Sequence, residues 1–439
     1  MTVIKRNGTE VPYDTNKVSV AIYKAMVEIY GDKADKELAN CYASFITSYI
    51  KHTIKSEKIS VEQIQDIVED VLMGRDKKLA KAYIRYRYKR QMARDTYNEL
   101  MEELNEKVSG KKIVNQNANI DEKSFGGRVG ETSDIVMKRL ALDYYVTPMA
   151  RTNHEENMIY IHDLASYPVG NSNCLSVPFD DLLANGFNTR QTDVRPAQSI
   201  NTALQLVAVI FQLQSLNQFG GVAATHLDWS LVPYVRKSLF KHYVMEYLKD
   251  IEEFYSLGIE SMSLEELDEW MDTNRDKYLA KFGLTEEDFF FGSKKLDKKY
   301  YQRALFETKR ETYQAVEGMY HNLNTLQSRS GNQLPFTSIN YGTCTLPEGR
   351  LVIRALLDVS IKGVGKLHKT SIFPCSIFQS MEGVNRKPGD PNYDLFQLAL
   401  KSTSLRLYPN YANVEWSGNA GFDRNDPKTY FSTINKLVA

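Results

Sequence analysis

Cysteine is the side chain with the widest chemistry here, and the chain has four: Cys41, Cys174, Cys344 and Cys375. No two of them stand as a C-x-x-C pair, which argues against a zinc knuckle, or any metal site built on them, and against a disulfide framework. Cys174 has the most suggestive surroundings. It follows His162-Asp163-Leu164 and lies within Gly170-Asn171-Ser172-Asn173-Cys174-Leu175. A thiol exchanges its hydrogen atom with a carbon radical, and burial raises a thiol's pKa and so keeps it protonated for that purpose. The plain alternative is a packing cysteine beside a His-Asp pair that satisfies buried backbone. Cys41 sits inside an amphipathic helical pattern and Cys375 in Phe373-Pro374-Cys375-Ser376. These two and Cys344 are read as packing residues.

A second chemistry is the holding of a triphosphate. It needs several cations on converging elements, helped by backbone donors at a tight turn or helix start. Lys5, Arg6, Lys17, Lys81 and Arg85 could converge in that way; the competing reading is a solvated basic face. Ser199, on the turn into a helix from Asn201 to Asn217, could offer its hydroxyl to substrate phosphates or simply cap the helix. Asn117, within Asn115-Gln116-Asn117-Ala118-Asn119, and Arg329, within Ser328-Arg329-Ser330-Gly331-Asn332-Gln333, are further candidates for substrate contact.

These residues need elements to position them. Val3-Ile4-Lys5-Arg6, Asn7-Gly8 and Glu10-Val11-Pro12-Tyr13 read as a hairpin, because Asn-Gly suits a type I′ turn. Asp14 caps a helix whose apolar face is Val18, Ala21, Ile22, Ala25 and Met26, closed by Gly31. Ser60 with Gln63 is a capping box ahead of a second face, Ile64, Ile67, Val68, Val71 and Leu72, which ends at Gly74. A third helix runs from about Asp76 to Tyr97 with Lys78, Lys81 and Arg85 on one side. Residues 1–92 thus form one domain and 93–112 a charged helical connector. In 113–439 polar loops alternate with helical patterns, and Met158-Ile159-Tyr160-Ile161 and Leu351-Val352-Ile353 look like buried strands, so the class is α/β. Residues 243–325 are charged and helical and read as an excursion outside the sheet or between subunits; Ser263 with Glu266 is another capping box.

Composition sets outer bounds. Of 439 residues 42% are hydrophobic and 25% charged, as in ordinary globular proteins. The 55 basic and 55 acidic side chains cancel, so no global field points to nucleic acid or to an anionic membrane. The start has no apolar run of signal-peptide length, and the most apolar stretch, Leu204 to Leu213, is too short to span a bilayer. A cytoplasmic protein is the default.

Two sets of motifs carry a resemblance. Val3 to Gly8, Asp14 to Lys17, and Ala80-Lys81-Ala82-Tyr83-Ile84-Arg85-Tyr86-Arg87 resemble the ATP-cone domain. His162-Asp163-Leu164 with Asn173-Cys174 is followed by Pro196-Ala197-Gln198-Ser199-Ile200, Gly220-Gly221, Pro335-Phe336-Thr337-Ser338, Gly389-Asp390-Pro391 and Arg406-Leu407-Tyr408-Pro409. In that order they resemble the anaerobic (class III) ribonucleoside-triphosphate reductases, over essentially all of residues 1–433.

The resemblance implies an N-terminal ATP cone followed by the first part of a ten-stranded glycyl-radical-type α/β barrel. ATP and dATP would be effectors at the cone, held by Lys5, Arg6, Lys17, Lys81 and Arg85. Ribonucleoside triphosphates would be substrates, a radical-SAM activase a partner, and the complete enzyme a homodimer. Cys174 matches the cysteine that faces the 2′ side of the ribose, and formate or a thiol system supplies the reducing equivalents. The family's thiyl cysteine stands in a Met-Gly-Cys-Arg context beyond the Tyr-Pro motif. Here Tyr408-Pro409 leads to Phe431-Ser432-Thr433 and then Ile434-Asn435-Lys436. The expectation is therefore a truncated chain, with thiyl cysteine, zinc site and glycyl radical outside it, inactive alone and complemented by a C-terminal chain. A non-catalytic nucleotide-binding or regulatory protein is the alternative. An acyl-transferring glycyl radical enzyme is disfavoured by the cone.

Overall fold

Val3, Val11 and Ile59 come together in the small sheet that opens the chain. β1 (Thr2–Ile4) pairs antiparallel with β2 (Glu10–Pro12) and parallel with β3 (Lys58–Ser60), with Val3 opposite both Val11 and Ile59. Three helices and the start of a fourth bury its apolar side: α1 (Thr15–Tyr30), α2 (Lys36–Thr53), α3 (Val61–Arg75) and α4 (Lys77–Ser109). Their shared core holds Ile22, Met26, Ile46, Ile50, Val68, Leu72, Leu79 and Tyr83. Asp14 caps α1 through the amide of Asn16, and Ser60 and Gln63 cap each other at the start of α3.

Two local expectations change. The hairpin turn is not type I′, which needs positive φ at both Asn7 and Gly8. Only Gly8 is left-handed, at φ 80°. The Gly8 N–H donates to the Lys5 carbonyl at 2.9 Å, and the Lys5 N–H donates to the Thr9 carbonyl at 2.8 Å. That is a three-residue loop with a glycine bulge. The fourth helix does not stop near Tyr97. It continues through the charged stretch to Ser109, because no glycine or proline interrupts residues 77–109.

The computed structural model describes residues 1–109, 124–170, 174–218, 220–250, 256–327 and 333–433. The chain divides into two units, Met1–Asn105 and Glu106–Ala439. The second opens with α5 (Phe125–Leu140) and α6 (Pro148–Glu155), then β4 (Leu175–Val177), α7 (Phe179–Asn185) and the short pair β5 (Phe187–Asn188) and β6 (Asp193–Val194). There follow α8 (Ile200–Ser215), β7 (Val222–Ala224), α9 (Leu227–Ser230), α10 (Val232–Asp250), α11 (Leu264–Phe282) and α12 (Lys298–Thr325). β8 (Thr337–Tyr341), α13 (Pro347–Lys362), β9 (Cys375–Ser380), α14 (Tyr393–Arg406) and β10 (Asn410–Asn413) complete it.

The sheet of this unit is parallel, in the order β10-β9-β8-β7-β4. Spatial order therefore repeats sequence order. With right-handed crossovers, every connecting helix then lies on the same face. Val177, Val222, Ala224, Ile339, Tyr341 and Phe378 belong to one apolar core with helices α8, α10, α12 and α13. Alternation and register put Ser176, Ala223, Ser338, Asn340, Ile377, Gln379, Asn410 and Ala412 on the other face, which carries no helix among the described residues. One face is apolar and packed on helices; the other carries Ser338, Asn340 and Gln379 beside Ala223, Ile377 and Ala412, and these six residues are buried too.

Two further expectations are corrected here. Residues 158–161 are not a buried strand: they form turns, with Met158 73% and Tyr160 80% exposed, because no neighbouring strand offers them a ladder. Leu351-Val352-Ile353 lies inside α13, where Pro347 at the first turn starts a helix and the apolar run is buried on all sides. The helical stretch 243–325 shares the core on the helix-covered face of the sheet. Ala304, Ala315, Val316, Met319 and Tyr320 of α12 belong to the main core, and Thr308 and Thr312 satisfy their hydroxyls on the carbonyls of Ala304 and Thr308. Cys41 also departs from the packing reading, since it is exposed on α2.

Candidate active site and nucleotide-binding face

Cys174 stands immediately before β4, and Leu175 beside it packs with the helices. Alternation thus assigns Cys174 to the bare face. Its Sγ, half-buried, accepts a hydrogen bond of 3.3 Å from the N–H of Gly221 at the start of β7. Gly221 is held in turn: its carbonyl accepts from Leu175 N–H at 3.1 Å and from the Gln218 amide at 2.8 Å. The Gly220-Gly221 motif is therefore the backbone rest of the thiol. Asn171 to Asn173 lie outside the described residues. His162 and Asp163 do form a pair, Nδ1 to Oδ1 at 2.5 Å, but His162 is 64% exposed, and Asp163 adopts φ 57° to close the turn.

The other cysteines have different settings. Burial pushes the Cys344 thiol well up and that of Cys375 up to about 11, although Tyr408 OH lies 3.5 Å from the latter. Neither forms a thiolate at neutral pH.

Ser199 caps α8: its hydroxyl accepts from the Thr202 N–H at 3.1 Å, and its side chain is buried. The Pro196-to-Ile200 turn around it is fixed from α10. Lys237 donates to the Ala197 carbonyl and the Gln198 side chain, and Ser238 Oγ accepts from Ile200 N–H. Asn117 and Arg329 lie outside the described residues.

Two carboxamides on the bare face, Asn340 and Gln379, escaped the sequence reasoning, which stopped at Ser338. Asn340 donates to the Ala224 carbonyl at 2.9 Å, and Gln379 to the Thr225 carbonyl at 3.1 Å. The signal that could have found Asn340 is the Ser-Ile-Asn-Tyr alternation, polar at every second place of a buried strand. Ser338 Oγ and Gln379 Oε1 are fully buried without a hydrogen-bond partner in the structure. A polar face of this kind is costly unless something meets its groups.

A pocket of about 360 Å³ opens at the carboxyl ends of β4 and β7, lined by Asp180, His226, Trp229, Tyr234, Lys237 and Lys428 among others. His226 bridges Thr225 Oγ1 at 2.6 Å and Asp180 Oδ2 at 2.9 Å. Burial works against the charge on Asp180, yet hydrogen bonds from His226 and Ser230 outweigh it and hold the carboxyl below its usual range.

In the first unit the five cations separate into groups. Arg6 reaches back from the hairpin to Glu62 and to Gln65 of α3. Arg87 meets the same Glu62 at 2.8 Å, with Asp66 at 2.7 Å and Glu69 at 2.9 Å. On α4, Lys81 and Arg85 stand about 120° and about 160° around the axis from Arg87. Their neighbours Lys78 and Lys89 lie against Tyr30 and Glu28 of α1. Lys5, Lys17, Lys81 and Arg85 are exposed and form no ion pair among the described residues. Arg6 is thus committed to Glu62 and Gln65, and Lys81 with Arg85 turns away from it.

The sequence model of a family described as anaerobic ribonucleoside-triphosphate reductase matches residues 116–429. The chain belongs to this family. Its residues 1–92 match the model of the ATP cone domain. The anaerobic ribonucleoside-triphosphate reductase of Haemophilus influenzae is 30% identical over 423 residues, covering 94% of this chain and 52% of that protein. That of Escherichia coli K12 is 28% identical over 418 residues, covering 94% and 51%. The chain spans about half the length of the curated relatives it matches. A crystal structure of the anaerobic ribonucleotide reductase from Thermotoga maritima, in complex with dATP and CTP, aligns at a TM-score of 0.39 and 11% identity, covering 66% of this chain and 42% of that one. No helix of the described residues is long and apolar enough to cross a membrane.

Proposed function

We propose that residues 106–439 contribute half of the catalytic barrel of an anaerobic ribonucleoside-triphosphate reductase, with Cys174 on the 2′ side of the ribose. The observation that carries this reading is the placement of Cys174, resting on Gly221 N–H at the start of β4 and assigned to the bare face with Ser338, Asn340 and Gln379. Five parallel strands in sequence order, with helices on one face, suit half of a ten-stranded barrel. The small, exposed Ser176 leaves room for a nucleotide beside Cys174 on the inner side, and Asn117, Ser199 and Arg329 are kept as candidates for its contacts. The net reaction balances as ribonucleotide plus formate plus a proton giving deoxyribonucleotide, carbon dioxide and water. With a substrate radical first made at C3′ by the thiyl cysteine outside these residues, the 2′-hydroxyl leaves with a proton as water and the Cys174 S–H gives its hydrogen atom to C2′. Formate restores the resulting Cys174 thiyl to the thiol, its remaining electron reducing the 3′-ketone as carbon dioxide leaves.

The thiyl cysteine, the glycyl radical and the zinc site belong outside these residues. Among the described residues no group of three His, Cys, Asp or Glu side chains could hold a metal ion. Radical-SAM activase, a complementing C-terminal chain and a homodimer in the cytoplasm complete the reading. Residues 1–92 bind ATP or dATP as effector, with phosphates on the exposed Lys5, Lys17, Lys81 and Arg85. Arg6 stands as a hinge to Glu62, released when phosphate takes its place.

The test is deoxynucleotide formation by this chain with its C-terminal complement, activase and formate under anaerobic conditions. Cys174→Ser abolishes product while nucleotide binding at the cone persists. Product from Cys174→Ser at the unaltered rate removes Cys174 from the chemistry. Effector binding measured by calorimetry falls about tenfold for Lys81→Ala, the loss of one phosphate contact; unchanged affinity removes Lys81 from that set.

A further inference from the structure

Among the described residues, the stretch 431–433 meets the face that carries no helix. The Thr433 N–H donates to Asn340 Oδ1 at 3.2 Å, and Asn340 Nδ2 donates back to the Thr433 carbonyl at 3.2 Å. Gln379 Nε2 donates to the Phe431 carbonyl at 3.1 Å. Both amides are fully buried, on adjacent strands and on the same face. Each sends its other bond to the end of β7, Asn340 to Ala224 and Gln379 to Thr225. An amide that merely filled a barrel interior would bond sheet backbone on both sides. These two join sheet backbone on one side to residues 431–433 on the other, 93 and 52 residues away in sequence.

The donor and acceptor exchanged by Asn340 and Thr433 are those that a neighbouring strand would exchange. The clasp thus treats 431–433 as a strand laid across the sheet. Its approach is anchored independently: Tyr430 is buried with Met381, Val384 and Val414, and the Phe431 ring packs against that of Trp416 at a tilt of 58°, centroids 5.3 Å apart.

We infer that Asn340 and Gln379 are positioning residues, whose carboxamides hold the backbone of 431–433 on the bare face and so set how far from Cys174 the chain starts after Thr433. The catalytic consequence rests on the reductase reading above; the clasp itself does not. In a reaction between two groups brought from separate parts of a chain, a displacement of about 1 Å costs about a hundredfold in rate. A carboxamide clasp on rigid strands is a means of avoiding it.

Hydrogen exchange on the whole chain reads the clasp directly. In Asn340→Ala the Thr433 amide exchanges about tenfold faster, one hydrogen bond's worth, while the amides of α13 keep their rates. Thr433→Pro removes the donor from the strap and leaves the sheet untouched, so it serves if Asn340→Ala fails to fold; chymotryptic cleavage after Phe431 then speeds up by a similar factor. An unaltered Thr433 rate in folded Asn340→Ala, or unaltered cleavage in Thr433→Pro, overturns the clasp. In the complemented reductase assay, Asn340→Ala and Gln379→Ala lower kcat and leave KM for the ribonucleotide in place. Parallel changes in both constants overturn the positioning role. If the unsubstituted chain forms no product in that assay, the reductase reading falls, and the exchange rates alone decide the clasp.

Discussion

The two units of this chain solve the same problem to different degrees. In Met1–Asn105 a three-stranded sheet is wrapped by helices, and its hairpin is closed onto α3 by Arg6 and Glu62. In Glu106–Ala439 a five-stranded sheet has helices on one face and small polar residues on the other. The first unit meets its buried side-chain polar groups; the second leaves Ser338 Oγ and Gln379 Oε1 without partners among the described residues. The difference separates a module closed by local contacts from one whose inner face depends on polar groups brought from far along the chain.

The widest test of that contrast is proteolysis. The N-terminal unit survives as a fragment near residues 1–105 while the sheet unit is degraded or aggregates once freed from it. A digest in which both units vanish together would falsify the contrast. Next in size, Leu72→Ala and Leu356→Ala each remove a fully buried side chain, one per unit. Each lowers stability by about 2–5 kcal/mol, and calorimetry shows each moving only the transition of its own unit. A shift of both transitions by one substitution shows that the units unfold as one.

Arg87→Ala sharpens the comparison within the first unit. It leaves Glu62, Asp66 and Glu69 facing one another, but their partial exposure limits the loss to about 1 kcal/mol. High salt shrinks the difference between variant and parent; a salt-independent difference points to packing instead. The smallest effect is a pH dependence in the second unit. Burial acts to raise the Glu311 pKa, but the His242 hydrogen bond and charge outweigh it and leave it below 4.5. A carboxyl whose folded pKa is depressed stabilises the fold above the unfolded value and loses that contribution as pH falls through the folded one. The melting temperature of the second unit therefore falls on acidification below about 4.5, and Glu311→Gln flattens part of the slope. An equal slope in the variant assigns the acid sensitivity to other carboxylates.

Legibility in the sequence divides along the same line. In the first unit the signals are local. Asp14, the Ser60 and Gln63 box and the apolar faces of α1 and α3 act within a few residues, and they form as read. The turn type differs because Asn-Gly also fits a three-residue loop in which only Gly8 is left-handed. In the second unit, apolar runs mislead. Leu351 to Ile353 is buried on all sides in a helix, and short apolar runs have no period to separate helix from strand. The sheet face is invisible for another reason. Asn340 and Gln379 are polar, fully buried and bonded to residues far away in sequence, so hydropathy does not mark them, and only the alternation around Asn340 hints at one of the two. The cations are found by type, yet whether they converge depends on helix rotation. Arg87, which joins three carboxylates, has nothing in its local sequence to set it apart from its basic neighbours.

The order β4, β7, β8, β9, β10, identical along the chain and across the sheet, also bears on synthesis. Each strand leaving the ribosome finds its neighbour already made, so the sheet extends by accretion at a single growing edge. No strand waits for a later one to be inserted between it and its partner. Pairing between consecutive strands avoids loops longer than the connections themselves, although that from β7 to β8 spans residues 225–336. Of the two edges of the sheet, β4 stays fixed and the other is always the newest strand, which makes the stretch just synthesised a point where a chaperone or a stray edge would attach.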